Sequence, residues 1–214
     1  MTNISNGKKK TKNRSYKQNS SAPLSYTKKQ HWKGGTLLAP VPPALVTVGT
    51  MENHNVLTVA WTGILNTIPP KTYISVRKER YSYPMLMQHK EFVINLPSAN
   101  LVKTVDFCGV RSGKDLNKFK EMNLTPAPAE KISTPLIAEC PLHLECKITD
   151  SVDLGTHTMF IADIVGMDVA DECINKNGKL EIEKCNLLAF AHGEYFTLGR
   201  KVGSFGYSVR KKKK

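Results

Sequence analysis

Apolar positions along the chain fall into short runs set apart by turn residues, and most of those runs read as strands. Ala44 to Gly49 is a β-branched run that follows Pro42-Pro43. Asn55 to Thr62, Thr72 to Val76 and Glu91 to Leu96 have the same character. Leu142 to Thr149 alternates strictly. Leu142, Leu144, Cys146 and Ile148 fall on one face and His143, Glu145, Lys147 and Thr149 on the other, the period of two that marks a half-buried strand. Thr158 to Val169 is apolar on both faces, as a central strand would be, and Leu187 to Phe190 with Glu194 to Leu198 would complete the sheet. Three short helices are predicted between the strands: Tyr83 to Lys90 with Ser82 as N-cap, Leu101 to Cys108, and Asp115 to Met122. Many short strands with a few helices in the connections predict a mainly β chain. The arrangement expected is a closed or nearly closed antiparallel barrel with helical excursions.

Charge divides the chain into three parts. The 214 residues carry a net charge of +13, a value that suggests a polyanion-binding protein. Residues 1–35 hold nine Lys/Arg and residues 205–214 hold five, with no acid in either stretch. The intervening residues hold 17 basic and 18 acidic side chains, so the body is near neutral. We therefore expect a basic disordered tail over residues 1–31, one domain over 32–207, and a basic C-terminal tail over 208–214. The tails would confer weak, salt-sensitive binding to nucleic acid or another anionic polymer, as a remote alternative to a main function in the body. No run of 18 apolar residues exists, which predicts no membrane span. No apolar segment follows the N-terminal lysines as a secretory signal would need. The five cysteines are odd in number and contain no C-x-x-C pair, which argues against a disulfide framework and a thiolate zinc site and predicts a cytoplasmic protein. The six histidines lack ligand spacing, so no metal is expected.

No G-x-G-x-x-G turn, P-loop, H-E-x-x-H or G-x-S-x-G element is present. The informative stretch is Asn55 to Phe119. Arg77-Lys78-Glu79-Arg80-Tyr81-Ser82 lies at a predicted strand-to-helix junction. Two guanidinium groups, a hydroxyl and a helix N-terminus suit a phosphate there, and a solvated basic turn capping the helix is the alternative. Phe107 to Asp115 is a loop bearing Gly109, Ser112 and Gly113, in which the glycines could simply make turns. Cys108 lies near Arg111 and Lys114 in sequence, a setting that would favour a thiolate.

Taken in order, NVLTVAWTGILNTIPP, ISVRKERYSYPML, EFVINLP and DFCGVRSGKDLNKF resemble the flavin reductase-like family, and within it the flavoredoxin-type FMN-binding split-barrel proteins. The resemblance spans roughly Pro40 to Phe205 and leaves both basic tails outside. It implies a split β-barrel, a homodimer and one non-covalent FMN per subunit near the dimer interface. By the same resemblance, Asn55, Thr58, Val59, Ala60 and Trp61 form the first flavin-contact strand. Arg80 and Ser82, with Arg77, would take the FMN phosphate. Asn95 and Pro97 would be architectural. Lys118 and His157 would approach the flavin and tune it, and Tyr195 or Phe196 would supply a late aromatic. From the residues alone, Trp61 could equally be core, Lys118 a solvated helix lysine, His157 a satisfied strand histidine and Ser82 only a cap.

The resemblance implies an FMN-dependent oxidoreductase with NADH or NADPH as donor, passing electrons to free flavin or a redox partner protein. A flavoredoxin-type electron-transfer protein without efficient NAD(P)H oxidation is the alternative. Either needs no catalytic residue beyond the flavin, because the cofactor carries the hydride chemistry.

Overall fold

A computed structural model describes residues 26–210. Residues 1–25 and 211–214, which include most of both expected basic tails, lie outside the described residues. Residues 26–36 are exposed and form no regular secondary structure, and the folded unit begins at Leu37.

Seven strands make one antiparallel sheet in the order β2-β1-β5-β8-β9-β4-β3. They are β1 (Ala44–Gly49), β2 (His54–Val59), β3 (Thr62–Thr67), β4 (Pro70–Arg77), β5 (Glu91–Leu96), β8 (Leu142–Asp153) and β9 (His157–Val169). A two-residue pair, β6 (Pro126–Ala127) and β7 (Leu136–Ile137), and a hairpin of β10 (Leu188–Ala191) and β11 (Glu194–Thr197) stand apart. The two edge strands of the large sheet, β2 and β3, are consecutive in the chain and joined only by Ala60 and Trp61. The sheet therefore curls until its edges meet at that link, where the Ser75 amide donates to the Trp61 carbonyl at 2.9 Å. β2 and β3 do not pair with each other, so the sheet stays open along that seam.

The inside of the barrel is filled by Val46, Leu57, Val59, Ile74, Phe92, Ile94, Cys146 and Phe160, one inward face from each contributing strand. Helix α1 (Ser82–His89) plugs one end with Met85 and Leu86. Pro84 is tolerated because it falls in the first helical turn, where amides lack intrahelical acceptors. The helix stops at Lys90, which adopts a left-handed conformation and donates back to Leu86. The outer face of β1 and β2 is covered by α2 (Val102–Val110) and α3 (Lys118–Glu121) through Val105, Cys108 and Phe119. Because β1 has packed layers on both faces, all six of its residues are buried.

Several boundaries differ from the sequence reading. The run predicted over Asn55 to Thr62 turns at Ala60 and Trp61 into a separate strand, and β3 with its exposed Ile64 and Leu65 was not foreseen. The α1 N-cap is Tyr81, with no side-chain bond, so Ser82 is the first helical residue and not the cap. The helix expected from Asp115 shrinks to one turn capped by Asn117, whose side chain accepts from the Lys120 amide. Along β8 the alternation does not mean one wet face. Glu145 is buried because the Glu130 and Lys131 amides fold over it and donate to its carboxylate, and His143 is buried with its Nε2 hydrogen-bonded to the Ile137 carbonyl of β7. Among the described residues no helix is long and apolar enough to cross a membrane.

Candidate functional site

The seam between the sheet edges opens into a cleft with two compartments that share Leu57, Arg77 and Arg80. The first, about 270 Å³, is lined by β2 and the turn after it, by the ends of β4 and β9, and by the β10–β11 hairpin. It presents Thr58, Val59, Ala60, Trp61, His157, Phe190 and Tyr195. The second, about 470 Å³, is polar and cationic, with Asn55, Arg80, Ser82, Arg111, Ser112 and Lys118 on its walls.

Each wall has a local cause. His157 opens β9 directly opposite Arg77, which closes β4, so the antiparallel register brings both to the cleft mouth. The Thr58 hydroxyl donates to the Val105 carbonyl of α2, leaving the backbone of β2 to face the cavity. Trp61 sits on the tight β2–β3 turn and is 42% exposed, which rules out a core role. Phe190 and Tyr195 are cross-strand partners with ring centroids 5.4 Å apart. The Tyr195 hydroxyl reaches Asp106 at 3.3 Å. Burial and that neighbouring carboxylate raise the phenol above its ordinary range.

The polar compartment is tightly tied. The buried Asn55 amide donates to Ser82 Oγ at 2.8 Å. Arg80 Nη1 donates to the Gly109 carbonyl at 3.0 Å, which fixes the guanidinium against the end of α2. Gly113 packs so closely on Asn55 that a Cβ there would lie 2.7 Å from the amide carbon. Lys118 is 4% exposed and donates to the Val56 and Cys108 carbonyls at 2.9 and 2.8 Å. Those two bonds leave one ammonium proton for the compartment that Lys118 lines. Desolvation lowers its pKa to about 8, with Cys108 opposing that effect and Arg80 adding to it. Cys108 itself is buried and its thiol is pushed up to about 11 by desolvation, so the thiolate expected from its sequence neighbours does not form.

Of the residues singled out from the sequence, Asn55, Thr58, Val59, Ala60, Trp61, Arg77, Arg80, Ser82, Lys118, His157 and Tyr195 all line the cleft. Phe196 does not; it points from the opposite face of β11 and is 48% exposed. Sequence reasoning left out Arg111, Ser112 and Gly113 as site residues, although their loop was noticed, and it missed Phe190. The loop's glycine and serine next to an arginine were the available signal; Phe190 carried none.

Residues 37–199 match the profile described as the flavin reductase like domain. The chain belongs to the flavin reductase-like family. Among solved structures, the flavoredoxin of Desulfovibrio vulgaris (Miyazaki F) superposes with a TM-score of 0.80 at 30% identity, covering 86% of this chain and all of that one. A flavoredoxin from Methanosarcina acetivorans shares the fold, with a TM-score of 0.76 at 24% identity over 86% of this chain and all of the other. An uncharacterised protein of Archaeoglobus fulgidus is 31% identical over 160 residues, 75% of this chain and 89% of the relative. These likenesses establish a mainly β split barrel of the kind seen in flavin reductases and flavoredoxins.

Proposed function

We propose that this protein is an FMN-binding oxidoreductase that takes electrons from NADH or NADPH and delivers them to free flavin or to a protein acceptor. The observation that carries this reading is the joining of an aromatic-lined slot to a cationic pocket through shared walls. A flat ring system with a phosphate tail has the same two-part character. The residues fit the group. Arg80, Arg111, Ser82 and the remaining Lys118 proton supply charge-assisted donors for a phosphate. Gly113 keeps the space beside Asn55 clear of a side chain. When bound, FMN supplies the two-electron hydride chemistry. The protein's part is to hold the phosphate with cations, to offer the Val59 to Trp61 backbone at the seam, and to shelter the slot from water with Trp61, Phe190 and Tyr195. His157 and Lys118 place ionisable groups beside the slot and the pocket, where their charge would bias a reduced, anionic occupant.

The likeness to the Desulfovibrio flavoredoxin at 30% identity supports a second reading, an electron-transfer protein that does not oxidise nicotinamide efficiently. A visible spectrum followed by anaerobic NADH and NADPH additions separates the two. Flavin bands that bleach with nicotinamide support the reductase, and bands that bleach only with dithionite support the carrier. A colourless protein that takes up no added FMN refutes both.

We further propose a homodimer in a reducing, cytoplasmic setting. The edge strand β3 exposes Ile64, and Ile68 at the β3–β4 turn is 89% exposed, a surface suited to a second copy. All five cysteines are free thiols. Sedimentation at micromolar concentration tests the dimer, and a purely monomeric species refutes it.

A further inference from the structure

Outside the cleft, two cysteines separated by eleven residues meet. After β9 the chain makes a single 3-10 turn at Asp171–Cys173, folds back through an Ile174–Leu180 bridge, and makes a second 3-10 turn at Ile182–Cys185. The two turns pack on each other, and the Glu181 amide donates to the Cys173 carbonyl at 2.8 Å. Cys173 and Cys185 are each 2% exposed, and with Leu142 they form a small satellite core of their own. The two side chains share that three-residue cluster, and desolvation, with the Cys173 side chain beside it, pushes the Cys185 thiol up to about 12. Lys184, two positions into the second turn, is paired with Glu181 and also lies within Coulombic reach of Cys173. Both thiols are packed against Leu142, Val169 and Leu187, so they react only when the segment around them opens, and its residues 176–180 and 182–184 are exposed.

We propose that Cys173 and Cys185 are a redox-active dithiol that reacts with low-molecular-weight disulfides to form a reversible intramolecular disulfide. In the first step the Cys173 thiol loses its proton and its sulfur attacks one sulfur of the incoming disulfide, expelling one small thiolate. In the second, the Cys185 thiol loses its proton and its sulfur attacks Cys173, expelling the other small thiolate. The two cysteines are oxidised by two electrons, the small disulfide is reduced to two thiols, and the two protons released are taken up by them. The position gives the bond a consequence. Asn186, next to Cys185, accepts the Ala99 amide at 2.8 Å, and Leu188 donates to the Pro97 carbonyl at 3.2 Å to start β10. The disulfide would staple the base of the hairpin that carries Phe190 and Tyr195 over the cleft.

The test uses the full-length protein, native, with oxidised glutathione at several concentrations. After acid quench, unfolding and alkylation, the number of modifiable thiols should fall from five to three. A tryptic digest should contain the Cys173 and Cys185 peptides joined and separable by dithiothreitol. The Cys185→Ser variant should stop at a glutathione adduct on Cys173. Five alkylated thiols at every concentration, or a cross-link between any other pair, overturns the proposal. This outcome is independent of whether the cleft binds FMN, since no step involves the cleft.

Discussion

Replacing Lys118 with Met tests the polar compartment most sharply. The ammonium holds two backbone carbonyls, and its third proton is the one available to an anion. A hydrogen bond to a charged partner contributes roughly 1.5–3 kcal/mol. Lys118→Met should therefore weaken FMN binding at pH 7 by about ten- to a hundredfold. The pH dependence is a second, more specific signature. In the free site the ammonium loses its proton near pH 8, because burial disfavours the charge. A bound phosphate restores a counter-charge and holds the proton to higher pH. Between those two values binding takes up a proton, so affinity for the wild type should fall as pH rises above about 8, by up to roughly tenfold per pH unit. The variant should lack that step. Stability without ligand carries the opposite slope. The native chain holds fewer protons than the unfolded chain between about 8 and the ordinary lysine value of 10.5. The cost of the buried charge is thus fully present below pH 8 and relieved through that window, so the wild type gains on the variant as pH rises. Fluorescence titration of apoprotein with FMN from pH 7 to 9.5, with urea melts in parallel, measures both. Equal FMN affinity within twofold at pH 7, or the same pH profile in both proteins, refutes the assignment of the third proton.

Three other perturbations probe separate parts of the structure. Arg80→Ala combined with Ser82→Ala removes two donors to an anion and orphans the Asn55 amide. FMN binding should weaken by about a hundredfold or more, and a double variant that purifies fully yellow would remove the phosphate site. Gly113→Ala drives a methyl into the buried Asn55 amide and should break its bond to Ser82. We expect both FMN affinity and urea stability to fall by about 1–3 kcal/mol, and unchanged affinity and stability would show the loop free to retreat. Glu145→Ala strands the Glu130 and Lys131 amides under β8. It should cost about 2–5 kcal/mol in urea unfolding while leaving FMN affinity intact, and a loss under 1 kcal/mol would mean the covering segment is not anchored there.

The parts of the fold that the sequence made legible are those with one dominant environment. β1 and β5 were readable to the residue because their apolar runs are bounded by Pro43 and Gly49 and by Lys90 and Pro97. β3 was not, because an edge strand with exposed Ile64 and Leu65 has neither burial nor alternation to announce it. The partner face of β8 was misjudged for a related reason. His143 and Glu145 look like surface residues until Ile137 is set against the first and the Glu130 and Lys131 amides against the second, contacts no local pattern encodes. Helix α3 shrank because Asn117, not Asp115, accepts the first free amide.

The site shows why resemblance reached further than spacing. Asn55, Arg80 and Lys118 are 25 and 38 residues apart along the chain, yet they converge because the sheet closes on itself at Ala60 and Trp61. That closure places the start of β2 beside the β4–α1 junction and under α3. A motif search sees three unrelated fragments, whereas an ordered series of family motifs already contains the closure. What the motifs did not contain is the cost structure of the pocket. Lys118 is a buried charge pinned by two carbonyls and not a free side chain reaching for a ligand. A lysine held that way cannot swing to suit different occupants. In the proposed site its remaining proton has one direction, so a phosphate would be held at one place, and the sheet closure that creates the slot would also fix how far that place lies from Trp61.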